Sequence, residues 1–162
     1  MKAVIVGFLL LCITFCLEAQ YQGGIGIYLN TTSPAFSEDF LQKGTNSIDI
    51  SLKMVLSNYE CYDLICGWNN DNTNFSLIKE VHRQLFYPVD IYLGIGFDIG
   101  KWNKKYLSVN NVSSFFGGID GSAGLQFSFL PISISFGFRP VWIFLGSDQF
   151  YCLKQIGIRV CY

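Results

Sequence analysis

The sequence predicts an all-β fold, namely an eight-stranded antiparallel up-and-down transmembrane β-barrel. Three observations lead to this prediction. From Gln22 onward, apolar residues alternate with polar or small ones with a period of two, the pattern of strands that have one apolar face. The alternating segments extend to about nine to twelve residues, as tilted bilayer-crossing strands do, whereas ordinary strands have about five to six. The connections between them alternate in length, which is typical of barrels that span a membrane.

The composition agrees with this fold class and excludes several functions. Of the 162 residues, 51% are hydrophobic and only 14% are charged, whereas soluble domains have about 25% charged residues. The 11 basic and 12 acidic residues leave a net charge of −1. A nucleic-acid partner is therefore not expected, and no polybasic membrane-binding patch is present.

The N-terminus has the order of a secretory signal peptide. Lys2 precedes an apolar run, residues 3–16, and small Ala19 precedes Gln20. We therefore expect residues 1–19 to be the signal peptide and residues 20–162 to be the barrel domain. The alternative is a retained membrane helix, which is disfavoured because the run is shorter than the roughly 20 residues that a spanning helix needs.

The first four predicted strands alternate imperfectly, and the facing of residues within the third is ambiguous. Their polar faces carry charges and hydroxyls that the second and fourth strands would place on one side. The predicted strands are residues 25–29, 48–55 with Asp49, Ser51 and Lys53, 59–68, and 74–82 with Ser76, Glu80 and His82.

The last four predicted strands have nearly pure apolar faces opposite faces of glycine, serine and single charges. That polar composition suits a narrow lumen, since a solvated face would carry many lysines and glutamates. These strands are residues 89–100, 119–129, 132–138 and 155–162, with Phe127, Phe136, Ile156 and Ile158 among the apolar set.

The connections fall into a long and a short set, which we place at opposite mouths of the barrel. With both chain ends in the periplasm, the long set lies outside the cell. The long connections are residues 30–46, 101–116 and 144–151, with the shorter polar segment 69–73; the short ones are residues 56–58, 83–88 and 130–131.

Charged residues on the polar faces predict a paired network in the lumen. An eight-stranded barrel is just wide enough for side chains to fill it, and buried charges persist only when paired. We therefore expect a plugged lumen without conductance. The predicted network comprises Lys53, Glu80, His82, Asp90, Asp98, Asp120, Arg139 and Arg159.

Aromatic residues near the strand ends predict two girdles at the membrane interfaces. Trp68, Trp102 and Trp142 are assigned to the outer interface, and Phe129 to the inner one.

Several segments resemble the small outer-membrane β-barrel proteins common in Bacteroidetes. The resemblance is carried by residues 117–125, which contain a GxDGxxGL pattern, by residues 130–135, and by Arg139-Pro140. It implies a bacterial outer-membrane location and an eight-stranded architecture. Together with the terminal aromatic residue, it also implies that the last strand is the signal for insertion by the barrel-assembly machinery, with Tyr162 as its key residue.

The predicted function is non-enzymatic: a monomer in the lipid bilayer with a structural or surface-interaction role through its outer loops. One alternative is a lipid-modifying barrel enzyme, since Ser76, Glu80 and His82 share a strand face. Another is a secreted lipocalin-like binder of an apolar ligand, with the apolar faces turned inward.

No cofactor or metal is expected from the sequence. The four cysteines beyond the signal peptide lie at spacings that match no CxxC pair, and the single histidine completes no recognised zinc motif with them. Their disulfide state is left open, with small buried hydrophobes or one disulfide near a strand end as the expected roles. These cysteines are Cys61, Cys66, Cys152 and Cys161.

Overall fold

The computed structural model describes residues 23–32, 46–57, 59–69, 72–103, 114–129, 131–146 and 149–162, and shows one closed β-barrel. The predicted signal peptide, residues 1–19, lies outside these residues. Among the described residues, no helix is long and apolar enough to cross a membrane. The strands are β1 (Gly23–Thr32), β2 (Asn46–Val55), β3 (Glu60–Trp68), β4 (Asn72–Phe86), β5 (Val89–Trp102), β6 (Phe115–Phe129), β7 (Ile132–Leu145) and β8 (Gln149–Cys161).

Every strand pairs antiparallel with its neighbours in the chain, and β1 pairs with β8 to close the barrel. At the closure Gly24 lies opposite Cys161, and Gly23 and Tyr162 exchange backbone hydrogen bonds of 3.1 and 3.0 Å. We call this end, with both chain ends and the turns after β2, β4 and β6, the terminal mouth. The opposite end is the loop mouth. The prediction of an eight-stranded antiparallel up-and-down barrel is confirmed.

Several strands are longer than the alternation predicts. Strand β4 continues through residues 83–86, because Arg83 and Gln84 pair with Ile91 and Asp90 on β5, so the predicted connection shrinks to the turn at Tyr87-Pro88. The predicted long connection 144–151 is also wrong. Strands β7 and β8 pair almost to their ends, and a turn with Gly146 at φ 87° replaces the loop.

The outer wall of the barrel is apolar. Phe136, Ile156 and Ile158 are about half exposed there, and the ring of Phe127 packs edge-on against Phe136 at 6.1 Å. Since these side chains face outward, a lipocalin-like barrel with an apolar interior is excluded, and the wall matches the lipid-facing surface of a membrane barrel.

The lumen is filled in layers. Next to the loop mouth, Trp102, Phe116, Val141 and Ile143 form a buried apolar layer, with Tyr151 packed against it. Below it lie charged and hydroxyl side chains, and a cavity opens at the terminal mouth. The apolar layer therefore closes the end of the lumen nearest the long connections.

Glycines allow the strands to approach closely across this filled lumen. A Cβ placed on Gly96 of β5 would overlap the carbonyl oxygen of Leu77 on β4 and lie 2.6 Å from the Cα of Ile78. Because those atoms are backbone, they cannot move aside, so this position requires glycine.

Candidate functional site

The lumen holds three clusters in which one basic side chain meets buried carboxylates and hydroxyls. Their centres are Arg139 of β7, Arg159 of β8 and Lys53 of β2. Each of these side chains points inward because it lies in phase with the glycines and serines of its strand.

The Arg139 cluster is the most deeply buried of the three. The guanidinium is fully buried and contacts Asp120 through Nε at 2.7 Å and Asp49 through Nη1 at 3.1 Å. Nη2 also contacts Asp120 and Ser76, and lies 4.0 Å from Asp98. One guanidinium therefore faces three carboxylates.

Neutral groups carry part of this excess negative charge. Asn30 donates to Asp49 at 2.6 Å, and Asn74 and Ser76 donate to the same oxygen of Asp98 at 2.9 and 2.6 Å. Among the described residues, the second oxygens of Asp98 and Asp120 have no hydrogen-bond partner. The network is thus dense on one side of the guanidinium and incompletely satisfied on the other.

The Arg159 cluster joins four strands. Nη2 of Arg159 donates to Tyr28 at 2.8 Å and Ser51 at 2.9 Å, and pairs with Asp63 at 3.1 Å. Tyr28 and Ser51 in turn donate to Asp63 at 2.8 and 2.5 Å. The single carboxylate of Asp63 is therefore satisfied by three donors from β1, β2 and β8, which fixes the spacing of these strands.

The Lys53 cluster lies nearest the terminal mouth. Lys53 Nζ is 2.6 Å from Glu80 Oε2 and 3.3 Å from His82 Nε2, and His82 Nε2 is 3.2 Å from the same Glu80 oxygen. Ser122 donates to the other Glu80 oxygen at 2.7 Å. The ring of Tyr92 stacks on His82 at 5.5 Å, so this site is both charged and rigidly supported.

A cavity of about 490 Å³ opens beside the Lys53 cluster at the terminal mouth. Lys53, Cys61 and His82 line its inner end, and Glu60 and Asp90 line its sides. Small polar molecules and ions can therefore reach this cluster from the terminal mouth, whereas the apolar layer separates it from the loop mouth.

Seven of the eight residues predicted for the network meet in these clusters, and Asp90 does not. Asp90 is half-buried and accepts a hydrogen bond of 3.3 Å from Ser128, but it forms no ion pair within the described part of the chain. The assignment of Asp90 to a charge pair is therefore wrong, because it lies at the wide cavity, out of reach of the basic side chains.

The structure also adds Asp49 and Asp63 to the clusters, two residues that the sequence prediction missed as partners. Asp49 alternates in phase with Lys53, so its inward position was predictable. Asp63 lies in β3, where the phase was ambiguous. Which cation each carboxylate meets depends on contacts across the lumen, which alternation along one strand cannot show.

The aromatic side chains divide between the two sides of the wall. Trp68, Trp142 and Phe129 face outward and are about half exposed. Trp102 is only 3% exposed and packs in the lumen, with its ring 4.6 Å from that of Phe116. Its assignment to a girdle is therefore wrong, because Trp102 lies in phase with the inward-facing Asp98 and Gly100.

Ser76 and His82 belong to different clusters, although they share one face of β4. Ser76 contacts Arg139 and Asp98, whereas His82 contacts Lys53 and Glu80. Among the described residues, His82 forms no hydrogen bond with a serine, so the nucleophile and base of a hydrolytic triad are not assembled here.

The four cysteines of the barrel are free thiols. Cys61 is buried in the lumen, whereas Cys66, five positions along the same strand, lies in phase with the outward-facing Trp68. These two side chains lie on opposite sides of the wall and cannot pair without disrupting β3.

Comparison with solved structures identifies the fold. No protein-family model matches the sequence, and no curated protein matches it significantly. The structure is similar to Neisserial surface protein A, at 14% identity and a TM-score of 0.59, over 88% of this chain and 97% of that chain. It is also similar to OprG from Pseudomonas aeruginosa (11% identity, TM-score 0.56, 88% and 96% covered). A third match is Ail of Yersinia pestis, solved with a heparin analogue (13% identity, TM-score 0.50, 89% and 100% covered). These are small eight-stranded outer-membrane barrels, and this chain shares their fold.

Proposed function

We propose that this protein is a non-enzymatic, monomeric barrel of the bacterial outer membrane, with a side-chain-filled lumen and a structural or surface-interaction role. The observation that carries the proposal is the contrast between the two sides of the wall. The outer side is apolar, and the inner side holds buried, paired charges such as Arg139 with Asp120. This inversion of a soluble protein suits a chain that has lipid outside and no aqueous channel inside.

The orientation follows the general asymmetry of such barrels, with the terminal mouth in the periplasm and the loop mouth outside the cell. Residues 1–19 then serve as the export signal, and the Bacteroidetes-type motifs of residues 117–125 agree with this location. Cell fractionation tests it. The protein should partition with the outer membrane and migrate differently on gels before and after heating, and recovery in the soluble fraction would overturn the proposal.

The filled lumen predicts that the barrel does not conduct ions. The apolar layer of Trp102, Phe116, Val141 and Ile143 closes one end, and the Arg139 cluster lies directly below it. Refolded protein added to a planar bilayer should leave the baseline current unchanged, with a known porin as positive control. Stepwise current increases would contradict a plugged lumen.

The surface role is assigned to the two longest connections, residues 33–45 and 103–114, which join strands at the loop mouth. Two of the similar barrels have names that denote surface or attachment proteins, which supports this assignment. Replacing each connection by a short Gly-Ser linker should leave the barrel folded and abolish binding of whole cells to a surface partner. Unchanged cell binding by both replacements would argue for a purely structural role.

The competing candidate is a lipid-modifying enzyme that uses His82 and Glu80. Their place near the terminal mouth puts them in the periplasmic half, away from the outer leaflet where lipid A lies. Mass spectra of lipid A from cells with the wild-type protein and with His82→Gln should be identical. A modification that depends on His82 would favour the enzyme.

A further inference from the structure

Three metal-ligating side chains converge at the inner end of the cavity at the terminal mouth. Cys61 of β3 lies directly opposite Glu80 of β4, and His82 follows two positions along the same face. One ligand atom from each, namely a thiol sulfur, a carboxylate oxygen and an imidazole nitrogen, all lie within 4.8 Å of one another. Spacing in the sequence did not indicate this group, because it forms only when β3 and β4 pair.

The distances between these atoms match the edges of a tetrahedral coordination shell. Cys61 Sγ lies 3.7 Å from Glu80 Oε2, and His82 Nε2 lies 3.2 Å from the same oxygen. Zinc bonds of about 2.0–2.3 Å to N, O and S ligands place neighbouring ligand atoms roughly 3.3–3.6 Å apart. Small side-chain adjustments therefore suffice to bring all three to one ion.

A positive charge already occupies this position. The Lys53 ammonium lies 2.6 Å from Glu80 Oε2, and its 3.3 Å contact with His82 Nε2 brings it against the ligand that a metal would use. The site thus attracts a cation, and Lys53 is its internal competitor. Lys53 also lines the cavity together with Glu60 and Asp90, so its side chain has space and anionic partners on the open side.

The surrounding residues hold the ligands in place and leave one side open. Ser122 holds the second oxygen of Glu80, and Tyr92 stacks on the His82 ring. Such supporting contacts orient metal ligands and raise their affinity. The cavity on the open side supplies room for a water molecule as a fourth ligand, which is the arrangement of a three-ligand zinc site.

We propose that Cys61 Sγ, a Glu80 carboxylate oxygen and His82 Nε2 bind a divalent, borderline-soft transition-metal ion such as Zn²⁺. On binding, the thiol proton of Cys61 leaves to solvent, the metal–sulfur bond forms, and the Lys53 ammonium moves toward Asp90. A thiolate and imidazole ligand set favours Zn²⁺ over Ca²⁺ or Mg²⁺, which prefer oxygen ligands. The inference is independent of the proposed surface role, since it concerns the lumen alone.

The test is a titration of the refolded barrel in detergent, with Zn²⁺ by calorimetry and Co²⁺ by absorption. The wild type should bind one Zn²⁺, and Co²⁺ should give a thiolate-to-metal charge-transfer band. Cys61→Ser should abolish that band, and Cys61→Ser and His82→Gln should each weaken Zn²⁺ binding by about tenfold or more. Lys53→Met should tighten binding by about tenfold, because it removes the competing charge.

Cys66→Ser is the matched control, since Cys66 lies on the same strand but faces outward, and this variant should bind like the wild type. Heat-modifiable migration of every variant shows that the barrel is folded. The proposal is overturned by a folded wild type and Lys53→Met that both bind no Zn²⁺. It is also overturned by a Cys61→Ser variant that binds as tightly as Cys66→Ser.

Discussion

Arg139 directs both Nε and Nη2 at the same oxygen of Asp120, and both side chains are completely buried. The second oxygen of Asp120 has no partner among the described residues. The pair joins β7 to β6 at the centre of a cluster that also holds Asp49 and Asp98. Several predictions about stability depend on this cluster.

Replacement of Arg139 by methionine should strongly destabilise the barrel, since it leaves three buried carboxylates without their cation. Removal of one partner of a buried ion pair costs about 3–5 kcal/mol. The free energy of unfolding by urea in lipid vesicles measures this effect. Arg83→Met is the control, because Arg83 is exposed on the outer wall, and its change should stay within about 0.5 kcal/mol. Equal effects of the two substitutions would contradict the prediction.

The two carboxylates Asp98 and Asp120 should respond differently to neutralisation. Asp98 is 4.0 Å from the guanidinium and accepts from Asn74 and Ser76 at one oxygen. Asp98→Asn keeps that acceptor and reduces the excess negative charge, so stability should be unchanged or higher. Asp120→Asn removes a direct charged contact and should cost about 1.5–3 kcal/mol. Urea unfolding of both variants checks the order, and a larger loss for Asp98→Asn would refute it.

Alanine at Gly96 should prevent the barrel from closing. The added Cβ would overlap the backbone of Leu77 and Ile78, which the paired strand holds in place. We expect refolded Gly96→Ala to lose heat-modifiable migration. Gly117→Ala is the comparison, because its Cβ would meet a flexible side-chain atom, Leu145 Cδ1, at 3.3 Å. A folded Gly96→Ala barrel would show that β4 and β5 can separate at this point.

Deletion of Tyr162 should impair assembly in the outer membrane. Its backbone pairs with Gly23 at the seam between β1 and β8, and its side chain is half exposed. Both the seam and the proposed insertion signal are lost with this residue. The amount of heat-modifiable protein in outer-membrane fractions measures the defect. Tyr162→Phe keeps the backbone and the aromatic ring, and should assemble normally; normal assembly of the deletion would refute the role.

The alternation of residue types was sufficient to predict eight strands and the side of the wall on which most residues lie. The pleat of a strand has a period of two, so each residue's facing follows from its neighbours in the sequence. Even Trp102 obeyed this rule, and its assignment to the outer girdle failed only because its place near a strand end was given more weight than its phase.

The partners of each side chain required the closed barrel. The pairing of Arg159 with Asp63, the isolation of Asp90 and the convergence of Cys61 with His82 all depend on inter-strand register and on distances across the lumen. Alternation along one strand carries no information about either. The chain thus encodes locally which residues enter the lumen, whereas closure of the barrel decides which of them meet.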